Sequence, residues 1–323
     1  MLVSVVFAIG FLLISSASVK KTTETTTHNR NSSPACFSDH YHLYSPPISE
    51  SLVFAGEKVP LERYDIRESL DRELLVNAYW QSNILLYCKR AYRYFPLMES
   101  ILKEEGVPED FKYLALIESG LTNVVSPAKA AGFWQFLKET GIQHGLEVND
   151  EIDERYHLEK STRAACQYLK RAYEKFGSWV LAAAAYNMGE NGVRRTIEEQ
   201  KVSSYWDLLL NSETARYVYR ILAAKLILSN PQEYGIQLHL TDLYQPLTVK
   251  NITVNTPVPD LASFANDHDM TYKQLKLLNP WLRSNKLTNK LGKNYTITLI
   301  DKKDAVYENQ IQSLDVEQML SGL

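Results

Sequence analysis

Apolar residues recur at helical spacing through most of the chain, from about residue 60 to residue 230. The pattern predicts helical structure from about residue 60 to residue 105, with an apolar face that continues up to Pro96. Proline in a helix interior removes a hydrogen bond, so we expect the next apolar group to form a separate short helix that stops at Gly106. These predictions rest on Leu70, Leu74, Leu75, Ala78, Tyr87, Ala91, Tyr94, Phe95, Met98, Ile101 and Leu102.

The helix that follows Pro108 carries a carboxylate on its apolar face. Phe111, Leu114, Ala115 and Glu118 lie at positions i, i+3, i+4 and i+7, so they share one stripe of the helix. Burial beside apolar side chains disfavours the ionised form and should raise the pKa of Glu118. A carboxylic acid that stays protonated near neutral pH can act as a general acid. The sequence therefore predicts Glu118 as a catalytic acid.

Further helices are predicted at 133–142, 157–176, 180–185, 205–210 and 214–228, and Asn230-Pro231 ends the helical pattern. After residue 240 the pattern changes to two alternating segments that enclose two short helices. Thr271 and Gln274 match a capping box at the start of the second of these helices. The expected fold class is mainly α: an all-helical domain followed by a small strand–helix–helix–strand module.

Five segments are predicted along the chain: a signal peptide at 1–17, a Thr/Ser-rich tether at 18–45, a helical domain at 46–235, a module at 240–302 and a tail at 303–323. Leu2 to Ile14 is apolar but too short to span a bilayer comfortably, and small residues follow it, as in a cleavable signal. No positive charge precedes this run, so a retained N-terminal anchor is the alternative. An exported protein is expected.

Charge and cysteine content exclude several classes of function. The net charge of -3 gives no overall basic surface, so no nucleic-acid partner is expected. Cys88 and Cys166 lie in apolar helical segments and are expected to be buried free thiols; Cys36 is the third cysteine. No Cys/His spacing matches a metal site, and neither a metal nor a cofactor is expected.

Several short motifs follow one another across the helical domain: Glu118-Ser119-Gly120, Ser126, AGFWQ at 131–135, Thr140-Gly141, and AYNMG at 185–189 with Gly192-Val193. In this order and spacing they resemble the lysozyme-like (SLT-type) lytic transglycosylases of bacterial cell walls, most of all the D-type membrane-bound murein transglycosylases. The resemblance implies a lysozyme-like helical fold. It also implies a partner, peptidoglycan glycan strands, and a location in the bacterial periplasm or cell envelope, with possible membrane or cell-wall association.

The resemblance further implies cleavage of the β-1,4 bond between N-acetylmuramic acid and N-acetylglucosamine. One glutamate, here Glu118, protonates the glycosidic oxygen. The same glutamate then takes the proton of the muramic C6 hydroxyl, which attacks C1 and leaves a 1,6-anhydro end. This route needs no carboxylate nucleophile, whereas retaining glycosidases hold a second carboxylate about 5 Å from the first. The acids nearest the motifs, Glu139 and Glu190, are both expected to be solvated surface charges.

Four substrate-binding residues are carried over by the same resemblance. Gln135 matches the glutamine that lines the cleft near the scissile bond, and Ser126 matches the serine near the muramyl side chain. Tyr186 matches the tyrosine whose hydroxyl approaches the acid, and Asn187 begins the turn that follows it. Without the resemblance, Tyr186 could be plain core and Asn187 part of a helix-ending turn. Phe133 and Trp134 are expected in the core rather than on a sugar platform.

Residues 247–300 resemble a LysM glycan-binding module, through Leu277-Leu278-Asn279-Pro280 and the closing strand at 295–297. The Gly-Asp-Thr that usually follows the first strand is replaced by Asn255-Thr256-Pro257. That turn forms part of the sugar groove of the family. Glycan binding and a structural appendage that has lost its ligand are therefore alternatives for this module.

Two other functions are alternatives for the whole chain. A goose-type lysozyme-like hydrolase would use the same fold but would need a partner acid for the attacking water, and the sequence does not locate one. A catalytically inactive wall-binding protein would suit the tether and the LysM-like module. The presence of Glu118, Gln135 and Tyr186 together favours an enzyme.

Overall fold

Apolar residues at helical spacing form eight α-helices between residues 64 and 229 of the computed structural model, which describes residues 44–301. A two-stranded hairpin, β1 (Val53–Phe54) and β2 (Glu57–Lys58), precedes them and turns through Ala55 and Gly56, both at positive φ. The helices are α1 (Tyr64–Ala78), α2 (Gln81–Glu104), α3 (Lys112–Ser119), α4 (Lys138–Gln143), α5 (Leu158–Phe176), α6 (Trp179–Met188), α7 (Glu190–Gln200) and α8 (Ser212–Ser229).

Helix α6 lies at the centre of the helical core. All six residues from Val180 to Ala185 are buried, four of them alanines, and the helix packs against α5, α7 and α8. Small alanine side chains let neighbouring helices approach closely, so this one short helix can contact three others. Ser178 caps its N-terminus by accepting a hydrogen bond from the Leu181 N–H.

Three sequence predictions for the helical part are wrong in detail. Helix α2 continues through Pro96 to Glu104, because its buried face, which includes Phe95 and Met98, runs on past the proline and outweighs one lost hydrogen bond. Residues 133–137 are not helical, and α4 begins only at Lys138, since Gly132 (φ 80°) and Gln135 (φ 47°) both take left-handed conformations. Only Tyr205–Asp207 of the segment 205–210 is helical, as a 3-10 turn.

The strand–helix–helix–strand module is confirmed. It comprises β3 (Val249–Val254), α9 (Leu261–Asp267), α10 (Tyr272–Leu278) and β4 (Tyr295–Ile300), with β3 and β4 antiparallel from Val249↔Ile300 to Val254↔Tyr295. The predicted capping box forms between Thr271 and Gln274. Buried Asn279 ties α10 to β4: its amide donates to the Thr298 carbonyl (2.7 Å) and accepts from the Thr298 N–H (2.8 Å). With the helical part, this confirms a mainly α fold with a small α+β module.

Both cysteines within residues 44–301 are buried free thiols, as expected, and burial raises the pKa of each to about 12. Among the helices of this range, none is long and apolar enough to cross a membrane. The predicted signal peptide, most of the tether, Cys36 and the tail lie outside the described residues, and the predicted domain boundaries stay predictions.

Candidate active site

Glu118 lies near the end of α3, and all the remaining residues of this helix are buried. Gly120 ends the helix in the left-handed conformation at φ 58°, and its N–H donates to the Leu116 carbonyl. A Cβ at residue 120 would lie 3.0 Å from the ring of Tyr87, so glycine meets both the backbone and the packing requirement. The predicted stripe and cap are confirmed, and they set a carboxylate at the edge of an apolar helix.

The hydroxyl of Tyr217 donates a hydrogen bond to Oε1 of Glu118. Tyr217 is on α8 and is 1% exposed. Burial is the largest influence on Glu118 and raises its pKa; the Tyr217 hydrogen bond and the charge of Arg220 oppose that rise, and the charge of Glu213 adds to it. The net direction is upward. Glu118 is therefore a carboxyl group that tends to keep its proton, with one buried donor ready to stabilise the anion when the proton leaves.

A loop at residues 124–136, called the cleft loop below, carries Ser126 and Gln135. Ala131 forms β-bridges with both Val125 and Phe136, which closes the loop into a tight double turn. The Gln135 amide nitrogen donates to the carbonyls of Val124 (3.0 Å) and Gly132 (2.8 Å). Ser126 Oγ accepts from the Ala130 N–H at 3.1 Å. Both predicted substrate-binding side chains thus also hold the shape of the loop.

Tyr186 joins the cleft loop to the surroundings of Glu118. Its hydroxyl donates to the carbonyl of Trp134 (2.7 Å), the residue before Gln135. The pKa of Tyr186 is raised well above its usual value, first by burial and then by the negative charge of Glu118. The tyrosine hydroxyl in contact with the acid belongs to Tyr217, while Tyr186 positions the loop backbone beside it. As expected, Phe133 and Trp134 are core residues.

Asn187 is part of α6 rather than the first residue of the turn, which comes at Gly189 (φ 80°). Its side chain reaches the N-terminus of α8. The amide donates to Glu213 Oε1 (3.2 Å), and the amide oxygen accepts from Thr214 Oγ1 (2.7 Å). Asn187 therefore fixes the start of the helix that carries Tyr217.

The two acids expected on the surface differ from each other. Glu139 is exposed, as predicted. The prediction for Glu190 is wrong: this side chain is buried and paired with Arg171 (2.6 Å) and Lys175. Burial alone would raise the pKa of Glu190, but the hydrogen bonds from Lys175 and Arg171 outweigh burial and lower it. Glu190 is held as an anion and is unsuited to act as an acid.

Sequence reasoning missed three residues of α8. Glu213, Tyr217 and Arg220 lie at positions i, i+4 and i+7, so they share the face of α8 that meets α3. Tyr217 contacts Glu118 directly, and Arg220 also donates to the Ile117 carbonyl at 3.3 Å. The recognisable signal was a polar stripe on a helix whose other positions are mostly apolar.

Comparison with known proteins supports the resemblance seen in the motifs. Residues 97–209 match the family model described as "Transglycosylase SLT domain", and residues 250–303 match "Soluble lytic transglycosylase C-terminal LysM-like domain". The membrane-bound lytic murein transglycosylase D of two Escherichia coli strains is 30% identical to this chain over 250 residues, which make up 75% of this chain and 54% of the relative. The chain thus spans about half the length of these relatives.

Proposed function

We propose that this chain, which carries a transglycosylase SLT domain followed by a LysM-like domain, is a lytic transglycosylase that cleaves the glycan strands of peptidoglycan. The observation that carries the proposal is the pair formed by Glu118 and Tyr217. A carboxyl group whose pKa is raised by burial, next to a buried hydroxyl donor, has the properties of a general acid that must later exist as an anion.

In the proposed reaction Glu118 first donates its proton to the glycosidic oxygen between N-acetylmuramic acid and N-acetylglucosamine. The bond from C1 to that oxygen breaks, and Glu118 becomes a carboxylate that Tyr217 stabilises. Glu118 then accepts the proton of the C6 hydroxyl as O6 bonds to C1. The products are a 1,6-anhydromuramyl end and a free hydroxyl on the other fragment, and the enzyme regains its starting protonation state.

We assign substrate contacts to Gln135 and Ser126 of the cleft loop and to Tyr186 and Asn187 of α6. Support comes from the hydrogen bond that links Tyr186 to the backbone next to Gln135, and from the contact between Asn187 and the helix that holds Tyr217. Tyr186 thus joins the Gln135 end of the cleft loop to α6, and Asn187 joins α6 to the helix that carries Tyr217. The relatives' names suggest action at the membrane, and we place this protein in the cell envelope on the same ground.

One observation favours hydrolysis as a second candidate. Glu213 is an exposed carboxylate whose charge acts on Glu118, and Asn187 holds it in place. A carboxylate in that position could orient a water molecule for attack at C1, which is the role that a goose-type lysozyme needs filled. Under the leading proposal, Glu213 instead helps to keep Glu118 protonated.

Mass spectrometry of digested peptidoglycan separates the candidates. The protein without its predicted signal peptide is compared with Glu118→Gln and with Glu139→Gln, a matched change at an exposed acid. We expect the unchanged protein and Glu139→Gln to give products that are lighter by one water molecule than the hydrolytic ones. Glu118→Gln should give no products. Products with ordinary reducing ends would replace the proposal with hydrolysis. An intact Glu118→Gln variant with full activity would refute the role of Glu118.

A further inference from the structure

The LysM-like module (residues 249–300) packs against the helical part through backbone pairing. The partner is the stretch at residues 147–157, called the docking segment below. The Asp153 N–H donates to the Trp281 carbonyl (2.8 Å), and the Arg283 N–H donates to the Glu151 carbonyl (2.7 Å). Between them Ile152 forms an antiparallel β-bridge with Leu282. Pairing of this kind fixes the orientation of the module, which a flexible linker alone would leave free.

Side chains extend the same contact. The Glu151 carboxylate accepts from both the N–H (2.7 Å) and the hydroxyl (2.5 Å) of Thr288. Glu147 accepts from the Tyr295 hydroxyl at 3.1 Å. Ile152 and Tyr156 are buried in the hydrophobic cluster of the module, and the guanidinium of Arg283 lies 4.3 Å from the centre of the Tyr156 ring. Backbone bonds, charged acceptors and apolar burial therefore all hold the module on the docking segment.

The docking segment also holds the cleft loop. Arg155 donates through Nη1 to the carbonyls of Lys129 and Phe136, both at 3.1 Å. The same guanidinium donates two hydrogen bonds to the Asp153 carboxylate, from Nε to Oδ1 at 2.9 Å and from Nη2 to Oδ2 at 2.7 Å. The Arg155 side chain is only 11% exposed. A planar guanidinium can satisfy a carboxylate on one edge and two carbonyls on another, which a lysine cannot do.

The backbones of the docking segment and the cleft loop meet without room for a side chain. A Cβ on Gly132 would lie 1.9 Å from the Arg155 carbonyl oxygen. Ala131 of the cleft loop is buried in the same hydrophobic cluster as the module residues. The middle of the cleft loop, and Phe136 at its end beside Gln135, therefore rest on a surface that the module itself helps to form.

We infer that the LysM-like module is a fixed support for the wall of the cleft, and that Arg155 is the positioning residue that transmits this support to the cleft loop. Asp153 connects the module to Arg155, because its N–H donates to the Trp281 carbonyl while its carboxylate accepts from the Arg155 guanidinium. The consequence for substrate binding rests on the proposed function, since it assigns Gln135 and Ser126 to glycan contacts. The mechanical part of the inference does not depend on any activity.

The first test replaces Arg155 by lysine in the full chain. Lysine keeps the positive charge but lacks the planar guanidinium that binds the Asp153 carboxylate and two carbonyls at once. Arg195→Lys is the matched control, because Arg195 is 74% exposed on α7 and pairs only loosely with Glu199. Amide hydrogen exchange is measured at Ala131 and Gly132, whose N–H groups are bonded within the cleft loop. We expect exchange about tenfold faster at these amides in Arg155→Lys, with the core amides of α6 unchanged as a check on folding. Unchanged protection in the cleft loop would overturn the inference.

The second test acts on the module side alone. Glu151→Ala removes the acceptor of Thr288 and touches no residue of the cleft loop, and Glu199→Ala is its control. We expect faster exchange at Asp153 and Arg283, and together with it faster exchange at Ala131 and Gly132. If exchange becomes faster at Asp153 and Arg283 while Ala131 and Gly132 keep their full protection, the module does not support the loop and the inference is wrong.

Kinetics on soluble glycan fragments add a readout that general destabilisation would not give. Arg155→Lys should raise KM about tenfold and leave kcat nearly unchanged, since it loosens substrate-binding residues and leaves the Glu118–Tyr217 pair intact. An unchanged KM would count against the positioning role of Arg155. If the unaltered protein cleaves no glycan while the exchange results are as expected, the proposed function fails and the support by the module still stands.

Discussion

Removal of the Tyr217 hydroxyl tests how Glu118 is controlled. In Tyr217→Phe the ring still fills its place in a fully buried site, and only the hydrogen bond to Glu118 Oε1 is lost. A buried hydrogen bond to a charged group contributes about 1.5–3 kcal/mol. In the proposed reaction Glu118 becomes an anion as the glycosidic bond breaks, so this contribution should be felt mainly in the transition state. At about 1.4 kcal/mol per factor of ten, kcat should fall by about 10- to 150-fold.

The same change has a second signature, in the pH dependence. The hydrogen bond from Tyr217 is one of the influences that lower the pKa of Glu118, while burial raises it. Without the hydroxyl, burial is opposed by the charge of Arg220 alone, so the pKa should rise further. The alkaline limb of the rate profile reports loss of the proton from the acid, and it should therefore move to higher pH even as the maximum rate falls.

Initial rates of muropeptide release, measured across the pH range, provide the assay. Tyr219→Phe is the matched control, since Tyr219 is also buried on α8 but its hydroxyl interacts with Ser69 of α1 instead of Glu118. The control should keep the wild-type rate and profile. A Tyr217→Phe variant with an unchanged rate, or with an alkaline limb moved to lower pH, would refute the reasoning about this pair.

Three further changes give clear expectations. Glu118→Gln should abolish cleavage. The pKa of Glu118 is higher in the folded than in the unfolded state, so its contribution to stability is complete below the unfolded-state pKa and is lost as pH rises through the folded-state pKa. In Glu118→Gln this fall in stability with rising pH should be absent, and denaturant unfolding at acid and alkaline pH measures it. Tyr186→Phe should lower turnover more than substrate affinity, and stability by about 1 kcal/mol through the lost bond to Trp134; an unchanged turnover would contradict it. Gly132→Ala should destabilise far more than Gly145→Ala, because both residues have φ near +80° but only Gly132 would clash with the docking segment; equal melting temperatures would show that the loop can move aside.

Local signals in the sequence predicted most of the fold, and they did so where the cause is local. Pro108, Gly120 and the Thr271–Gln274 box each act within one helical turn and mark an element boundary. Pro108 precedes a 3-10 turn at Glu109–Phe111 that leads into α3, Gly120 ends α3, and the box begins α10. The stripe that singled out Glu118 is likewise a property of eight consecutive positions, Phe111 to Glu118. The expectation of a raised pKa followed from that stripe alone, because desolvation is the largest influence on this carboxyl group.

Predictions failed where distant residues decide the outcome. Residues 133–137 have a helical composition, but Gly132 must pack against the Arg155 carbonyl, which holds the chain in a turn until Lys138. Glu190 was expected on the surface because it lies on no apolar stripe, and its partners Arg171 and Lys175 are 19 and 15 positions away in the sequence. Tyr217 is 99 positions from Glu118, and no local pattern could pair them.

Helix α8 shows why the acid cannot be understood from its own motif. Glu213, Tyr217 and Arg220 all act on Glu118, and their influences have opposite signs: Glu213 favours the protonated acid, whereas Tyr217 and Arg220 favour the anion. In the proposed reaction Glu118 first gives a proton and then takes one back, and such a group needs both kinds of neighbour. The match to the SLT domain ends at residue 209, before α8 begins at Ser212. The matched segment therefore contains the proposed acid, Glu118, but not the α8 residues that balance its two charge states, so under this proposal a chain could match the domain and still lack a competent site. A replacement of Tyr217 or Arg220 on α8 would accordingly change the chemistry while every motif of the matched segment remained in place.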